Sequence, residues 1–147
     1  MITIIDHPIV GGWALESWTI SLGDKTSYPF GEKPVGRILY TPDGQMSATI
    51  ARADRPVLSN PVPAKAPVEE KLAAFDSYFS YGGAFHIDGE DVVHRVELSL
   101  NPNFVGSEQR RRMTFEGDSL NGKHLTLSAD EQTPKGIKHH RIRWRRV

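Results

Sequence analysis

The chain has 147 residues, 38% of them hydrophobic and 24% charged, which suits one ordinary globular core and excludes a disordered polymer. Lys plus Arg and Asp plus Glu number 18 each, so no net field draws the protein to nucleic acid or an anionic membrane. With no cysteine, disulfides, thiolate zinc sites and cysteine nucleophiles are excluded together.

Residues 1–8 carry neither a basic region nor a long apolar run, so no signal peptide is read there. No segment approaches the roughly 18 apolar residues of a membrane span, and a cytoplasmic location is the expectation. Thirteen glycines and ten prolines punctuate segments that mostly alternate with period two, the pattern of a sandwich or barrel. The first strand is expected at 11–22, with Trp13, Leu15, Ser17 and Thr19 on one face. Strands at 35–40 and 45–51 flank Thr41-Pro42-Asp43-Gly44, where Pro42 sets φ and Gly44 accepts a positive φ. Residues 55–67 carry Pro56, Pro61, Pro63 and Pro67 and read as an extended loop. A helix follows at 67–78: Pro67 suits the first turn, and Glu69 and Glu70 sit near the positive dipole end. Val68, Leu72, Phe75 and Phe79 form an apolar stripe expected to lie against the barrel and cover one mouth.

Strands resume at 81–87, turn through Asp88-Gly89-Glu90, and continue at 92–100. After Asn101-Pro102-Asn103-Phe104 the chain returns along 105–116. Turns at Gly117-Asp118 and Asn121-Gly122 surround a short strand near 124–128, and 137–145 is the last strand. About eight strands and one helix predict an all-β, up-and-down antiparallel barrel over 1–147, since closure removes exposed edges.

Several stretches resemble the lipocalin-like domain family, a bacterial and fungal branch of the calycin-type barrels. Gly11-Gly12-Trp13-Ala14-Leu15-Glu16-Ser17 is similar to the Gly-x-Trp opening strand of those barrels. The block from Tyr28-Pro29-Phe30-Gly31 through Gly36-Arg37-Ile38-Leu39-Tyr40 to Asp43-Gly44-Gln45-Met46-Ser47-Ala48 is similar to the family's most recognisable segment. His94, Asn101-Pro102-Asn103, Gly106, Gln109-Arg110-Arg111 and Ile142-Arg143-Trp144 continue the likeness to the end. The resemblance implies a barrel with a ligand cavity. It implies no single reaction, because fold does not fix function.

Strict alternation assigns the faces of a small barrel. Val92, His94, Val96, Leu98 and Leu100 share the more apolar face, so His94 points inward. Val105, Ser107, Gln109, Arg111, Met113 and Phe115 do the same on the next strand and carry Gln109 and Arg111 inside. A tight connection would oppose Leu100 to Val105 and therefore His94 to Arg111, about 5 Å apart at Cβ. A buried arginine needs a partner. Two readings stay open: an internal network through an acid such as Glu97 or Glu16, or an anionic ligand. In the functional reading Arg111 and Gln109 hold a carboxylate, enolate or carbonyl oxygen while His94 moves a proton. Arg111 beside it favours neutral imidazole in His94. Tyr28 and Phe30 are mouth candidates, and Tyr40, Met46, Tyr81, Phe85 and Trp144 are wall candidates for ligand contact.

The final thirteen residues hold six lysines and arginines and no acid, yet Arg141, Arg143 and Arg145 alternate with His140, Ile142 and Trp144. A solvated outer face accounts for them, with a terminal arginine stacked on Trp13. Six histidines show no metal spacing, and phosphate-loop, dinucleotide and Gly-x-Ser-x-Gly motifs are absent. The expectation is therefore a barrel without metal or cofactor whose partner is a small hydrophobic molecule, neither nucleic acid nor membrane. The sequence is compatible with a monomer or a homodimer. It leaves open plain binding, as a carrier or sensor, and isomerase, cyclase or lyase chemistry.

Overall fold

Alternating apolar and polar residues are realised as nine strands in the computed structural model, which describes residues 4–117 and 123–147. The strands are β1 (Gly11–Leu22), β2 (Lys25–Ser27), β3 (Val35–Tyr40), β4 (Gln45–Ala51), β5 (Tyr78–Asp88), β6 (Asp91–Ser99), β7 (Glu108–Glu116), β8 (His124–Thr133) and β9 (Gly136–Arg146). All pairings are antiparallel, and β1 pairs with β9 to close the sheet, so eight strands form the barrel and short β2 extends the tip of β1. The all-β, lipocalin-like barrel expected from the sequence is the observed fold. The turn residues expected at Asp118, Asn121 and Gly122 lie outside the described residues. Among the described residues no helix is long and apolar enough to cross a membrane.

One end of the barrel is packed solid. Ile9 and Trp13 are fully buried there, and the Trp13 indole N–H donates to the Ile9 carbonyl at 2.9 Å. The Arg146 guanidinium lies 4.1 Å from the Trp13 ring centroid and donates to the carbonyls of Val10 and Pro8. This is the terminal arginine stack expected from the sequence, and it ties the last strand to the segment before the first.

Two bulges break the alternation. Between Leu15 and Ser17 the β1–β9 register shifts, so Glu16 is extra and Trp18, not Ser17 or Thr19, joins Trp13 and Leu15 on the inner face. Between Gly82 and Gly83 the β5–β6 register shifts by one residue at Glu97, which turns Leu98 out to 74% exposure. The connection after β6 is a 3-10 turn, Pro102–Phe104, capped by the Asn101 side chain accepting from the Asn103 N–H at 3.0 Å. It sets His94 opposite Gln109 and Val92 opposite Arg111, two residues from the expected pairing. An even slip preserves parity, so His94, Gln109 and Arg111 all still face inward.

Helix α1 (Val68–Asp76) stops earlier than expected, and Phe79 belongs to β5. Val68, Leu72 and Phe75 are 76%, 60% and 49% exposed, so the stripe expected to lie against the barrel faces out. The helix is held instead by the preceding loop, through Ser59 donating to the Glu70 carboxylate and Arg55 donating to the Ala74 carbonyl. Phe104, from the 3-10 turn, packs on Phe79 and Tyr81 at the open end of the barrel.

The bulge at Glu97 requires a residue without a side chain opposite it. A Cβ on Gly83 would collide with the Arg95 carbonyl oxygen and stand 3.0 Å from the Glu97 nitrogen, both rigid backbone. Gly89, at φ +63°, has open space around it. We expect Gly83→Ala to lower the unfolding free energy by about 3 kcal/mol, against about 1 kcal/mol for Gly89→Ala, in urea titrations. Equal small losses would contradict this account of the bulge.

Candidate functional site

Toward the open end the inner faces do not meet, and a cavity of about 340 Å³ remains. Its walls are largely apolar: Ile38, Ala48 and Ile50 from β3 and β4, Leu127 and Ala129 from β8, Ile142 and Trp144 from β9, and Trp18 from β1. Phe79 and Phe104 stand at the rim, and Asp130, Glu131 and His140 line the mouth. On one wall β5, β6 and β7 bring Tyr81, His94, Gln109 and Arg111 to the cavity, while the buried indole nitrogens of Trp18 and Trp144 have no hydrogen-bond partner among the described residues.

His94 is the one buried polar residue among those described, at 1% exposure. Both of its ring nitrogens are engaged. The Tyr40 hydroxyl lies 2.7 Å from Nε2 and the Tyr81 hydroxyl 2.6 Å from Nδ1. Burial, reinforced by the Arg111 charge, lowers the His94 pKa to about 3, so the ring is neutral and has one donor and one acceptor nitrogen. Burial likewise lifts Tyr81 to about 12 and Tyr40 well above its ordinary value, so both phenols keep their protons.

The direction of the chain follows from hydrogen-bond accounting. Tyr40 is 2% exposed and does not line the cavity, and among the described residues its hydroxyl bonds to His94 alone. If Nε2 carried the proton, the Tyr40 hydrogen would be buried without an acceptor, at a cost of about 1–3 kcal/mol. Tyr40 therefore donates to Nε2, the Nδ1–H donates to Tyr81, and the Tyr81 hydrogen is the free one. Tyr81 lines the cavity, so the chain delivers a donor to it.

Arg111 stands beside this donor with carbonyl and amide partners. Its Nη1 donates to the Arg110 carbonyl at 2.9 Å, and its Nη2 donates to Gln109 Oε1 at 3.3 Å. Gln109 Nε2 in turn donates to Ser107 Oγ at 2.9 Å, so Gln109 braces the guanidinium. Glu97 is exposed on the outer side of its bulge, and Glu16 meets Arg143 at 3.3 Å and His124 at 3.2 Å on the outer surface. Neither acid reaches Arg111, and among the described residues no carboxylate pairs with it. The neighbouring Arg110 and Arg112 face outward and share Asp91, with Asp88 and Glu90 completing the cluster.

Of the residues singled out in the sequence, His94, Gln109, Arg111, Tyr81 and Trp144 border the cavity. Tyr40 forms the layer behind His94, and Met46 and Phe85 are core residues, Phe85 meeting the Tyr40 ring edge-on at 4.9 Å. Phe30 packs on Trp18 at 5.3 Å outside the lining, and Tyr28 is 43% exposed away from it. Alternation missed Trp18, because of the bulge at Glu16, and Phe79, which was assigned to the helix. Alternation alone does not name the tyrosine hydroxyls as partners of His94. The rule that buried polar groups pair, applied to three inward polar side chains, would have found them. Among the described residues no group of histidines and acids gathers in metal-binding geometry.

A family model described as a lipocalin-like domain matches residues 10–147. The chain is 30% identical over 83 residues to the 4'-hydroxy-3'-methoxypropiophenone carrier protein ppsC of Aspergillus oryzae, covering 51% of this chain and 75% of that protein. No solved structure matches it.

The depressed His94 pKa has a signed consequence. The folded state keeps the ring neutral down to about pH 3, whereas the unfolded chain protonates it near 6.5. The unfolded state thus binds the extra proton between these values, and stability falls as pH drops through that window. From about pH 6 to about pH 5 we expect wild type to lose stability about 1 kcal/mol more steeply than His94→Gln, measured by urea unfolding at each pH. Parallel pH profiles would contradict a buried neutral His94.

Proposed function

The chain belongs to the lipocalin-like domain family, and from that premise we propose that its barrel binds and carries a small, mostly apolar molecule presenting a carbonyl or anionic oxygen to Tyr81 and Arg111. One observation carries the reading: an accessible, largely apolar cavity with Tyr81, His94, Gln109 and Arg111 together on one wall. Its volume of about 340 Å³ is in the range that small-molecule sites occupy. Apolar walls favour burial of hydrocarbon or an aromatic ring at about 25 cal/mol per Å². A charge-assisted hydrogen bond from Arg111 adds about 1.5–3 kcal/mol and fixes orientation.

The relative's name supports the ligand class. A hydroxy-methoxy propiophenone is an aromatic ketone, with an apolar ring and a carbonyl acceptor of the kind the polar wall would receive. In this reading Tyr81 and Arg111 contact the oxygen, Gln109 holds the guanidinium, and His94 and Tyr40 orient Tyr81. Trp144 and Trp18 flank the apolar body of the ligand. Binding needs neither metal nor cofactor, because the recognition groups are all side chains of the barrel.

One observation favours a second reading, in which the barrel isomerises, cyclises or cleaves its ligand. The hydrogen-bond chain through His94 ends at the cavity and could move a proton to or from a bound enolate. The two readings part on the fate of the ligand.

The test uses 4'-hydroxy-3'-methoxypropiophenone with titration calorimetry, followed by mass spectrometry of the recovered compound. Wild type is expected to bind it and return it unchanged. Arg111→Met should weaken binding about tenfold, and Ala129→Phe, which fills the cavity, should abolish it. Conversion that depends on His94 and Arg111 would replace the carrier reading by the catalytic one, and undiminished binding by Ala129→Phe would exclude the cavity as the site.

A further inference from the structure

Among the described residues the polar wall offers the cavity a hydroxyl donor and a cation, and no carboxylate. The Tyr40–His94–Tyr81 chain runs one way and ends in the Tyr81 O–H. The Gln109 carbonyl oxygen is taken by Arg111, and the Gln109 amide nitrogen by Ser107. Arg111 adds a fixed positive charge with no carboxylate beside it among the described residues. An alcohol or amine that donates a hydrogen bond gains no countercharge from this wall. An oxyanion finds two kinds of donor and a countercharge.

Resting on the carrier reading, we infer that the site selects weak organic acids in their ionised form (enols of dicarbonyls, phenols or carboxylic acids) and holds the oxyanion between the Tyr81 hydroxyl and the Arg111 guanidinium.

The charged and titratable groups around this position are few. Tyr40 from β3, Tyr81 from β5 and His94 from β6 are neutral, and Arg111 from β7 is the inner cation. Asp130 and Glu131 from β8 lie at the mouth, with side chains 66% and 53% exposed. Each has its own histidine from β9, Asp130 at 2.6 Å from His139 and Glu131 at 3.8 Å from His140. Water screens these acids, whereas Arg111 acts across a largely apolar cavity. The balance favours the anion, so an acid's pKa should fall when it enters. The proton leaves to solvent and the conjugate base stays.

The probe is 4-nitrophenol, whose ionisation is read by absorbance, titrated from about pH 5 to about pH 9 with saturating protein. N-phenyl-1-naphthylamine, a neutral apolar dye, reports the cavity independently. Bound nitrophenol is expected to ionise about one unit below the free compound, a tenfold preference for the anion. Arg111→Met should remove the shift and Arg111→Lys should keep most of it, while the dye still binds both variants and so shows them folded. An unchanged or raised nitrophenol pKa, or no nitrophenol binding, in a protein that binds the dye would overturn the inference and leave the carrier reading standing. Failure of the dye to bind wild type would overturn both.

Discussion

Everything in the open half of the barrel depends on a histidine that has no access to water. An imidazole inside an apolar wall must be neutral, and both its nitrogens must be bonded. Tyr40 and Tyr81 meet that demand from two different strands, one on each side of the ring. The arrangement needs room beside the hydroxyls, and the sequence provides it with small inward residues. Ala48 stands opposite Tyr81 in the ladder, and Gly83 stands opposite Met46. Gly83 also admits the bulge at Glu97, which ends the apolar inner run of β6 at Val96. Backbone irregularity and polar cluster are thus one feature, and both lie next to the cavity, as bulges near binding sites commonly do.

The electrostatics of β7 divide along the same line. Three consecutive arginines alternate out, in, out. The outer pair is satisfied by Asp88, Glu90 and Asp91, in contacts that solvent weakens to little net stability. The inner one has carbonyl and amide partners but no acid among the described residues. A protein that places acids so readily beside Arg110, Arg112 and Arg143 sets none of its described carboxylates beside Arg111, which lines the cavity. That contrast is the electrostatic basis for reading the wall as a place for a ligand's oxygen.

Much of this was legible in the residue order. The Pro-Asp-Gly turn between 35–40 and the alternating stretch 45–51 is enough to place the β3–β4 hairpin with its observed ends. Parity placed His94, Gln109 and Arg111 inside, and the register error between β6 and β7 did no harm because it was even. Single-residue insertions are not legible: neither Glu16 nor Glu97 announces a bulge, so alternation separates Trp18 from the face of Trp13 and Leu15 and turns Leu98 inward. The helix differs for another reason. Its stripe has the right spacing for a buried face, but the helix is bonded to the preceding loop through Arg55 and Ser59, and Val68, Leu72 and Phe75 stay exposed. Spacing says which residues share a face and not what that face meets.

The central claim is that hydrogen bonds run from Tyr40 through His94 to Tyr81 and end in a donor at the cavity. Nuclear magnetic resonance of the histidine ring nitrogens reads this directly, by distinguishing protonated from unprotonated nitrogen at each position. From about pH 5 to about pH 8 the spectrum of His94 should be that of a neutral ring with the proton on Nδ1 and a bare Nε2, unchanged across the range. A proton on Nε2, or a ring that titrates near its ordinary value, would contradict the account.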